Sequence, residues 1–355
     1  MYKLTPDGLK GYLKQEHKRI RAKMYRRWID QSEDFPVMGN AVIAHGYRGN
    51  VRAQHFKDLA NAFDDEQCNV VSFDLPNFGK SGSLRPELVG QIVSFALLVR
   101  SLKAILFAML DSRSKSKVPT ILIGYSIGAL VILRLLQIYP YLQKYIAGII
   151  LIAVPLRVDQ NARKELLRWK KVVKPIFKLL VRVRPGMPVS EYEEDEFSKD
   201  DPHHFKGAMN GWTANQILVA SEKAREGMPK IRVPILFIHG ADDETAPIDE
   251  MERAYGQVST HRDDKDKIVY ENVDHLVLQK HRLAIQDATK WAKNRMRIAK
   301  DAVTKIHPEQ TKVEERLEEL GGLVQTLLEI GPRVIRLVWN VLADMVNSAI
   351  HRKNT

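Results

Sequence analysis

Gly124-Tyr125-Ser126-Ile127-Gly128 has the pattern G-x-S-x-G, and the residues around it decide the fold. A short apolar run at 118–123 precedes the pattern and predicts a buried strand. A longer apolar run at 129–137 follows it and predicts a helix. A strand, a tight turn and a helix in this order form a nucleophile elbow, which lifts a serine hydroxyl above the end of a sheet. Ser126 is therefore a candidate nucleophile, and the alternative is an ordinary Gly/Ser turn.

A nucleophilic serine needs a base, and the base needs a carboxylate that orients it. With this elbow, the three residues are expected in the chain order serine, acid, histidine. The apolar run 233–238 predicts another buried strand, and Asp243 follows it at the same edge of the sheet as Ser126. We predict that Asp243 is the orienting acid. Asp242 is the alternative acid, and a solvated acidic turn is the alternative for the whole segment.

The base and the oxyanion hole follow from the same order. The run 268–270 predicts the last strand, and His275 on the loop after it is the candidate base, with a structural histidine as the alternative. An oxyanion hole needs two backbone N–H groups aimed at the developing negative charge. Ile127, directly after the nucleophile, is expected to supply one of them. Tyr47, on the loop after the predicted strand 40–44, is expected to supply the other.

The order of the predicted elements indicates an α/β fold. Strands alternate with helices from about residue 22 to 154, which predicts a mostly parallel central sheet with helices on both faces. The pattern resumes at residue 231. The segment between has no clear strand pattern and predicts an inserted helical cap, or lid. We therefore expect a first part of the core at 1–155, the cap at 156–230, a second part of the core at 231–300, and a C-terminal amphipathic helical extension at 301–355.

These residues together resemble the α/β-hydrolases, in particular the monoacylglycerol lipase and lysophospholipase branch. The resemblance covers about residues 20–297. It is carried by the elbow, by His45-Gly46, by an opening strand at 24–28, by the stretch 70–81, by Asp243 four residues after His239, and by His275. The family has D-x-x-G-x-G-x-S where this chain has D-x-x-N-x-G-x-S. The chain departs from the family at Asn77, where glycine is usual, and at Asp274, where glycine is common.

The resemblance implies a serine ester hydrolase that works through an acyl-serine intermediate, with Ser126, Asp243 and His275 as the catalytic triad. It implies a single-chain lipid ester, such as a monoacylglycerol or a lysophospholipid, as the substrate. It implies no metal and no organic cofactor. Thioesterase, aminopeptidase and acyltransferase activities use the same fold and stay open as alternatives. A non-catalytic binding protein with a hydrolase fold is a further alternative.

The charge pattern bears on partners. The chain carries a net charge of +12, and basic residues alternate with apolar ones at 163–184. A second amphipathic stretch lies at 333–350. Both patterns favour contact with an anionic membrane surface, and packing on the hydrolase body is the alternative. A homodimer through 301–355 is a third interpretation. We see no nucleic-acid-binding motif, and we expect no nucleic-acid partner.

Length and composition agree with one large domain plus extensions. The chain has 355 residues, of which 45% are hydrophobic, which suffices for a sizeable core. Its single cysteine, Cys68, excludes an internal disulfide and is typical of a reducing compartment. No apolar run reaches the roughly 18 residues of a membrane span, and no signal peptide is recognisable. We expect a cytoplasmic protein, either free or peripheral on a membrane surface.

Overall fold

The computed structural model describes residues 26–29, 37–81, 83, 86–110, 118–157, 188–190 and 196–301. These residues contain nine strands: β1 (Arg26–Ile29), β2 (Gly39–Ala44), β3 (Cys68–Phe73), β4 (Thr120–Tyr125), β5 (Gly148–Ile152), β6 (Pro188–Ser190), β7 (Met209–Asn210), β8 (Ile235–Gly240) and β9 (Lys265–Tyr270). They contain seven α-helices: α1 (Gln54–Asp65), α2 (Phe95–Leu110), α3 (Ile127–Ile138), α4 (Gly211–Glu226), α5 (Ile248–Gln257), α6 (Val277–Lys280) and α7 (Leu283–Asp301).

Seven of the strands form one sheet in the order β1-β3-β2-β4-β5-β8-β9. The strands from β3 to β9 in this order all pair in parallel, and β1 alone pairs antiparallel, with β3. Strands joined through helices in this way have their carboxyl ends at one edge of the sheet. The prediction of an α/β-hydrolase fold with a mostly parallel sheet is confirmed.

The sheet is buried on both faces, which explains why its strands read as continuous apolar runs. Alternate residues of one strand enter different clusters: Val42 packs with α2 and α3, whereas Ala41 and Ile43 pack with α1 and α7. β4 and β5 divide in the same way. The core therefore consists of two apolar layers, one on each side of the sheet.

β9 forms one edge of this sheet and differs from the strands inside it. Every residue of β2, β4, β5 and β8 is buried, whereas in β9 only Tyr270 is. The loop after β9 folds back over the end of β8. A Cβ atom at Gly240 would overlap the carbonyl oxygen of Val273, so this loop lies directly on the β8 backbone. The fold-back carries the following residues toward the middle of the sheet.

The predicted cap segment is described in part. Its residues 188–190 and 209–210 form a short two-stranded antiparallel sheet, β6–β7, where we expected helices alone. Strands of two or three residues are too short to give a period-2 pattern, which is why the sequence did not indicate them. α4 agrees with the expected helical cap. The basic stretch 163–184 and the extension from 302 onward lie outside the described residues, and the domain boundaries stay predictions.

Both ends of the cap segment are fixed to α5 by charged contacts. Arg157, where the chain leaves β5, makes a bidentate pair with Asp249 at 2.9 and 3.0 Å. It also lies 3.3 Å from Glu250, which is buried. Arg225, in the last turn of α4, approaches the other oxygen of Glu250 at 3.8 Å. The entry and exit of the insertion therefore converge on one buried carboxylate, and the cap begins and ends at a fixed point of the core.

Candidate active site

The turn between β4 and α3 has the geometry of a nucleophile elbow. Ser126 has φ 52° and ψ −117°, a conformation that residues with a side chain rarely adopt. A Cβ atom at Gly124 would overlap the backbone of Ala129, and one at Gly128 would overlap the carbonyl oxygen of Ala44. The two glycines therefore allow the helix to start directly behind the strand and beside β2. The strain at Ser126 is of the kind that clusters at functional sites, and it costs on the order of 1–3 kcal/mol.

Three residues from distant parts of the chain form a line of hydrogen bonds at the carboxyl edge of the sheet. The Nε2 atom of His275 lies 2.9 Å from the Oγ atom of Ser126. The Nδ1 atom of the same ring lies 2.7 Å from the Oδ2 atom of Asp243. Ser126 follows β4, Asp243 follows β8, and His275 reaches both residues because its loop folds back over β8. The structure thus brings together the three residues that the sequence singled out.

The partners of the imidazole decide its tautomer. An ionised carboxylate only accepts hydrogen bonds, so Nδ1 carries the ring proton and donates a hydrogen bond to Asp243. Nε2 then has a lone pair that accepts the hydroxyl proton of Ser126. Asp243 is buried, and its second oxygen accepts the Ala246 amide at 2.7 Å. This arrangement is what general-base activation of a serine requires.

The neighbouring acid, Asp242, is exposed and does not face the imidazole. Its backbone amide donates to the carbonyl oxygen of Val273 at 3.0 Å, whereas its side chain lies at the surface. Of the two candidate acids, the structure places Asp243 beside His275. The catalytic role of each residue stays a prediction.

The two expected oxyanion donors belong to chain segments that adjoin Ser126. Ile127 is the first residue of α3, and the first amides of a helix have no partner within the helix. On the other side, a Cβ atom at Gly46 would stand only 3.2 Å from the Cβ atom of Ser126. The loop after β2 therefore passes directly beside the serine. Tyr47 is the next residue on that loop, as the prediction for its amide requires.

The side chain of His45 fixes the conformation of the loop after β2, which carries Tyr47. It is fully buried, its Nδ1 atom lies 2.7 Å from the Gly46 carbonyl oxygen, and its Nε2 atom accepts the Leu75 amide at 2.9 Å. Nδ1 therefore carries the proton of a neutral ring. Burial lowers the pKa of His45 from its ordinary value of 6.5, although nearby Asp74 and the Gly46 carbonyl act in the opposite direction. The pKa of buried His239 is also lowered, again mainly by burial.

We expect these two histidines to make the folded protein sensitive to acid. The pKa values of these two histidines are lower in the folded protein than in the unfolded chain. Below about pH 6.5 the unfolded chain therefore binds more protons than the folded protein does. Each one should reduce the free energy of unfolding by up to about 1.4 kcal/mol per pH unit in that window. Urea unfolding between pH 5 and 7.5 should show a shallower pH slope for His45→Asn and His239→Asn than for the wild type.

His261→Asn is the matched control, because 74% of this side chain is exposed to solvent. This variant should keep the wild-type pH slope. If both buried-site variants also keep that slope, burial does not hold either histidine neutral in the folded protein.

Asp74 organises the segment after β3, a role that the sequence did not suggest. One of its oxygens accepts the Val51 amide at 2.8 Å, and the other accepts the Lys80 amide at 2.7 Å. It thereby ties the loop after β2 to the stretch 74–81. Asp74 is the first residue of the D-x-x-N-x-G-x-S stretch, and this position could have indicated its role.

The two departures from the family pattern are accommodated locally. Asn77 has φ 73°, a left-handed conformation that asparagine tolerates better than most residues, and its side-chain amide donates to the Gln91 carbonyl at 2.8 Å. The carboxylate of Asp274 accepts hydrogen bonds from the Leu276 amide at 3.0 Å and the Lys280 ammonium at 2.6 Å. Burial raises the pKa of Asp274, but these hydrogen bonds and the Coulombic attraction to Lys280 and His275 together hold the pKa below its ordinary value.

Two other kinds of site are absent from the described residues. In that part of the chain, no three His, Cys, Asp or Glu side chains converge as a metal would require. Among the same residues, no helix combines the length and apolar character needed to cross a bilayer.

The sequence and the fold were compared with known proteins. The model of a hydrolase family described as serine aminopeptidase, S33, matches residues 36–281. A monoacylglycerol lipase of Mycolicibacterium smegmatis is 23% identical over 271 residues, which cover 73% of this chain and 89% of that protein.

Two solved structures of similar fold are lipases. The monoacylglycerol lipase of Paleococcus ferrophilus superposes with a TM-score of 0.59 at 18% identity, over 77% of this chain and 99% of that chain. A soluble variant of the monoglyceride lipase of Saccharomyces cerevisiae, in complex with a substrate analogue, gives 0.61 at 16% identity, over 77% and 92%. At this identity the likeness supports the fold. Because the family model spans more than half of the chain, this protein belongs to the α/β-hydrolase family described as serine aminopeptidase, S33, and it is similar to monoacylglycerol lipases.

Proposed function

We propose that this protein is a serine hydrolase that cleaves carboxylic esters through an acyl-serine intermediate. The observation that carries the proposal is the line of hydrogen bonds from Ser126 through His275 to Asp243. It lies on an elbow whose strained serine is aimed away from the sheet. A binding protein with this fold would gain nothing from keeping all three residues in hydrogen-bond contact.

The geometry supports the following sequence of steps. Nε2 of His275 takes the hydroxyl proton while the Oγ atom of Ser126 attacks the ester carbonyl carbon. Asp243 stabilises the imidazolium that forms, and the amides of Ile127 and Tyr47 bind the oxyanion. His275 then gives its proton to the leaving alcohol as the tetrahedral intermediate collapses to the acyl-serine. His275 next takes a proton from a water molecule, whose oxygen attacks the carbonyl carbon of the acyl-serine. His275 returns that proton to the Oγ atom of Ser126 as the bond to the acyl group breaks, which releases the carboxylic acid and the free serine.

We propose a single-chain lipid ester, either a monoacylglycerol or a lysophospholipid, as the substrate. The names of the M. smegmatis relative and of the two lipase structures support this class. The description of the matching family favours one rival, a serine aminopeptidase. Thioesterase and acyltransferase activities would need the same nucleophile and the same oxyanion hole. The triad alone does not distinguish them, because the acyl-enzyme chemistry is shared.

A panel of substrates presented to one enzyme preparation tests the proposal. It contains monoacylglycerols, lysophospholipids, short and long p-nitrophenyl esters, an acyl-thioester and an aminoacyl anilide, with Ser126→Ala as the blank. We expect the highest kcat/KM for one of the two lipid esters. A higher value for the aminoacyl anilide would assign the protein to the aminopeptidases. No turnover combined with no labelling by a fluorophosphonate would show that the fold serves binding only.

We also propose that the protein is cytoplasmic and reaches its substrate at an anionic membrane surface. The basic and amphipathic stretches 163–184 and 333–350 support the membrane surface. The single cysteine of the chain, Cys68, is typical of a reducing compartment. The extension 301–355 is proposed as a contact for membrane or for a second copy of the chain. Cosedimentation with anionic vesicles should weaken as salt is added. If removal of 301–355 leaves a soluble protein with unchanged vesicle binding, the anchor lies in the cap or does not exist.

A further inference from the structure

The hydroxyl of Tyr125, the residue before the nucleophile, has no part in the steps above. It donates to the backbone carbonyl oxygen of His275 at 2.6 Å. The phenol oxygen also lies 3.2 Å from the Oε1 atom of Gln279. A phenol has one proton, so the shorter contact takes it. Tyr125 thus connects the elbow directly to the loop of the general base.

The ring of Tyr125 is held so that its hydroxyl has little freedom. It is buried and packs edge-on against Phe56 of α1, with the ring centroids 5.8 Å apart. The ring of His55 lies 6.1 Å away. A Cβ atom at Gly46 would stand 3.1 Å from the Tyr125 ring, so the ring also lies against the loop after β2. One side chain therefore contacts both the loop of the oxyanion donors and the loop of the base.

The loop after β9 needs such a support, because it starts from the exposed edge strand. Within the part of the chain that the structure describes, the carboxylate of Asp274 accepts its hydrogen bonds from residues of the same stretch, Leu276 and Lys280. Asp243 holds the imidazole but belongs to the loop after β8. Tyr125 ends the fully buried β4 and is covalently joined to Ser126, so its bond to the His275 carbonyl relates the base to the nucleophile itself.

We propose that Tyr125 is a positioning residue that keeps Nε2 of His275 within hydrogen-bond reach of Ser126. The inference rests on the proposed function. Displacement of a catalytic group by about 1 Å lowers a rate by roughly a hundredfold. Loss of this hydroxyl should therefore lower kcat by about 10- to 100-fold. KM should change little, because the hydroxyl is occupied by His275 and does not face the substrate.

Tyr125→Phe tests this, with Tyr270→Phe as the matched control. Tyr270 also has a hydroxyl that donates at 2.6 Å, but to Asp287 of α7 and not to a residue of the proposed triad. Each substitution removes one short hydrogen bond and keeps the ring, so a purely structural effect should be similar in both. We expect only Tyr125→Phe to lose kcat on a soluble short-chain ester. A kcat within twofold of the wild type, or an equal loss in Tyr270→Phe, would overturn the proposal.

A second measurement asks whether Tyr125 acts through the imidazole. Tyr125→Phe is combined with His275→Ala, and the residual hydrolysis of an activated aryl ester is measured with both single variants. A positioning residue should have no further effect once the imidazole is absent, so the double variant should match His275→Ala. A further tenfold loss in the double variant would show that Tyr125 supports the elbow or the fold instead.

The outcome for wild-type protein separates this inference from the proposed function. If the wild type neither hydrolyses esters nor reacts with a fluorophosphonate, the proposed function fails, whatever the variants do. If the wild type reacts and Tyr125→Phe reacts equally fast, the proposed function holds and the positioning role alone is wrong.

Discussion

Replacing Ser126 with alanine is expected to lower kcat for ester hydrolysis by about a millionfold, because a serine hydrolase without its nucleophile keeps only the assistance of its oxyanion hole and substrate binding. The Oγ atom of Ser126 is the atom that the Nε2 atom of His275 contacts at 2.9 Å, and no attack on the carbonyl occurs without it. Labelling by a fluorophosphonate should disappear together with hydrolysis. Mass spectrometry of the wild type should find the label on Ser126.

Ser221→Ala is a suitable control for this substitution. Ser221 is buried and donates one hydrogen bond to the Pro155 carbonyl at 2.7 Å, and it has no part in the proposed steps. Its loss should reduce stability by about 1 kcal/mol and leave labelling unchanged. Full labelling of Ser126→Ala, or wild-type turnover by it, would show that another residue is the nucleophile.

Asp243→Asn is expected to lower kcat by about ten-thousandfold, because it imposes the wrong tautomer on the base. The Oδ1 atom of Asp243 accepts the Ala246 amide, so the oxygen of the new side-chain amide is retained at that position. Its NH2 group must then face Nδ1 of His275. That nitrogen then has to accept a hydrogen bond, so the ring proton moves to Nε2. The Nε2 lone pair that would receive the Ser126 proton is lost.

Asp242→Asn provides the internal comparison, one residue away and with the same loss of charge. Its side chain is exposed, and its backbone contact with Val273 does not depend on the carboxylate. We expect less than a threefold change in kcat. A large loss in Asp242→Asn together with a small one in Asp243→Asn would show that the working enzyme uses the other acid.

The sheet and the elbow could be predicted because single residues or continuous runs specify them. Strands that are buried on both faces are apolar throughout, and the spacing of Gly124 and Gly128 around Ser126 marks a turn that larger residues would block. Strand ends were less certain: the runs 118–123 and 233–238 correspond to β4 and β8, each displaced by two residues. Hydrophobicity records burial, whereas strand assignment depends on which backbone groups pair.

Other features depended on three-dimensional contacts that no local pattern records. The choice between Asp242 and Asp243 follows from how the turn after β8 is folded, since adjacent residues of identical chemistry differ only in direction. The contact between Tyr125 and His275 joins residues 150 positions apart. The sequence marks Tyr125 only as a variable position within the elbow, and nothing near His275 indicates that its carbonyl needs a donor.

The exposed position of β9 has a consequence for how the enzyme should lose activity. Edge elements with few buried side chains tend to open by local unfolding at a lower free energy than the global transition. His275, the proposed general base, depends on the loop that follows this strand, whereas Ser126, the proposed nucleophile, follows a buried central strand of the sheet. Ester hydrolysis should therefore fail at a lower urea concentration than the one that melts the helices, and amides of β9 should exchange with deuterium sooner than those of β4.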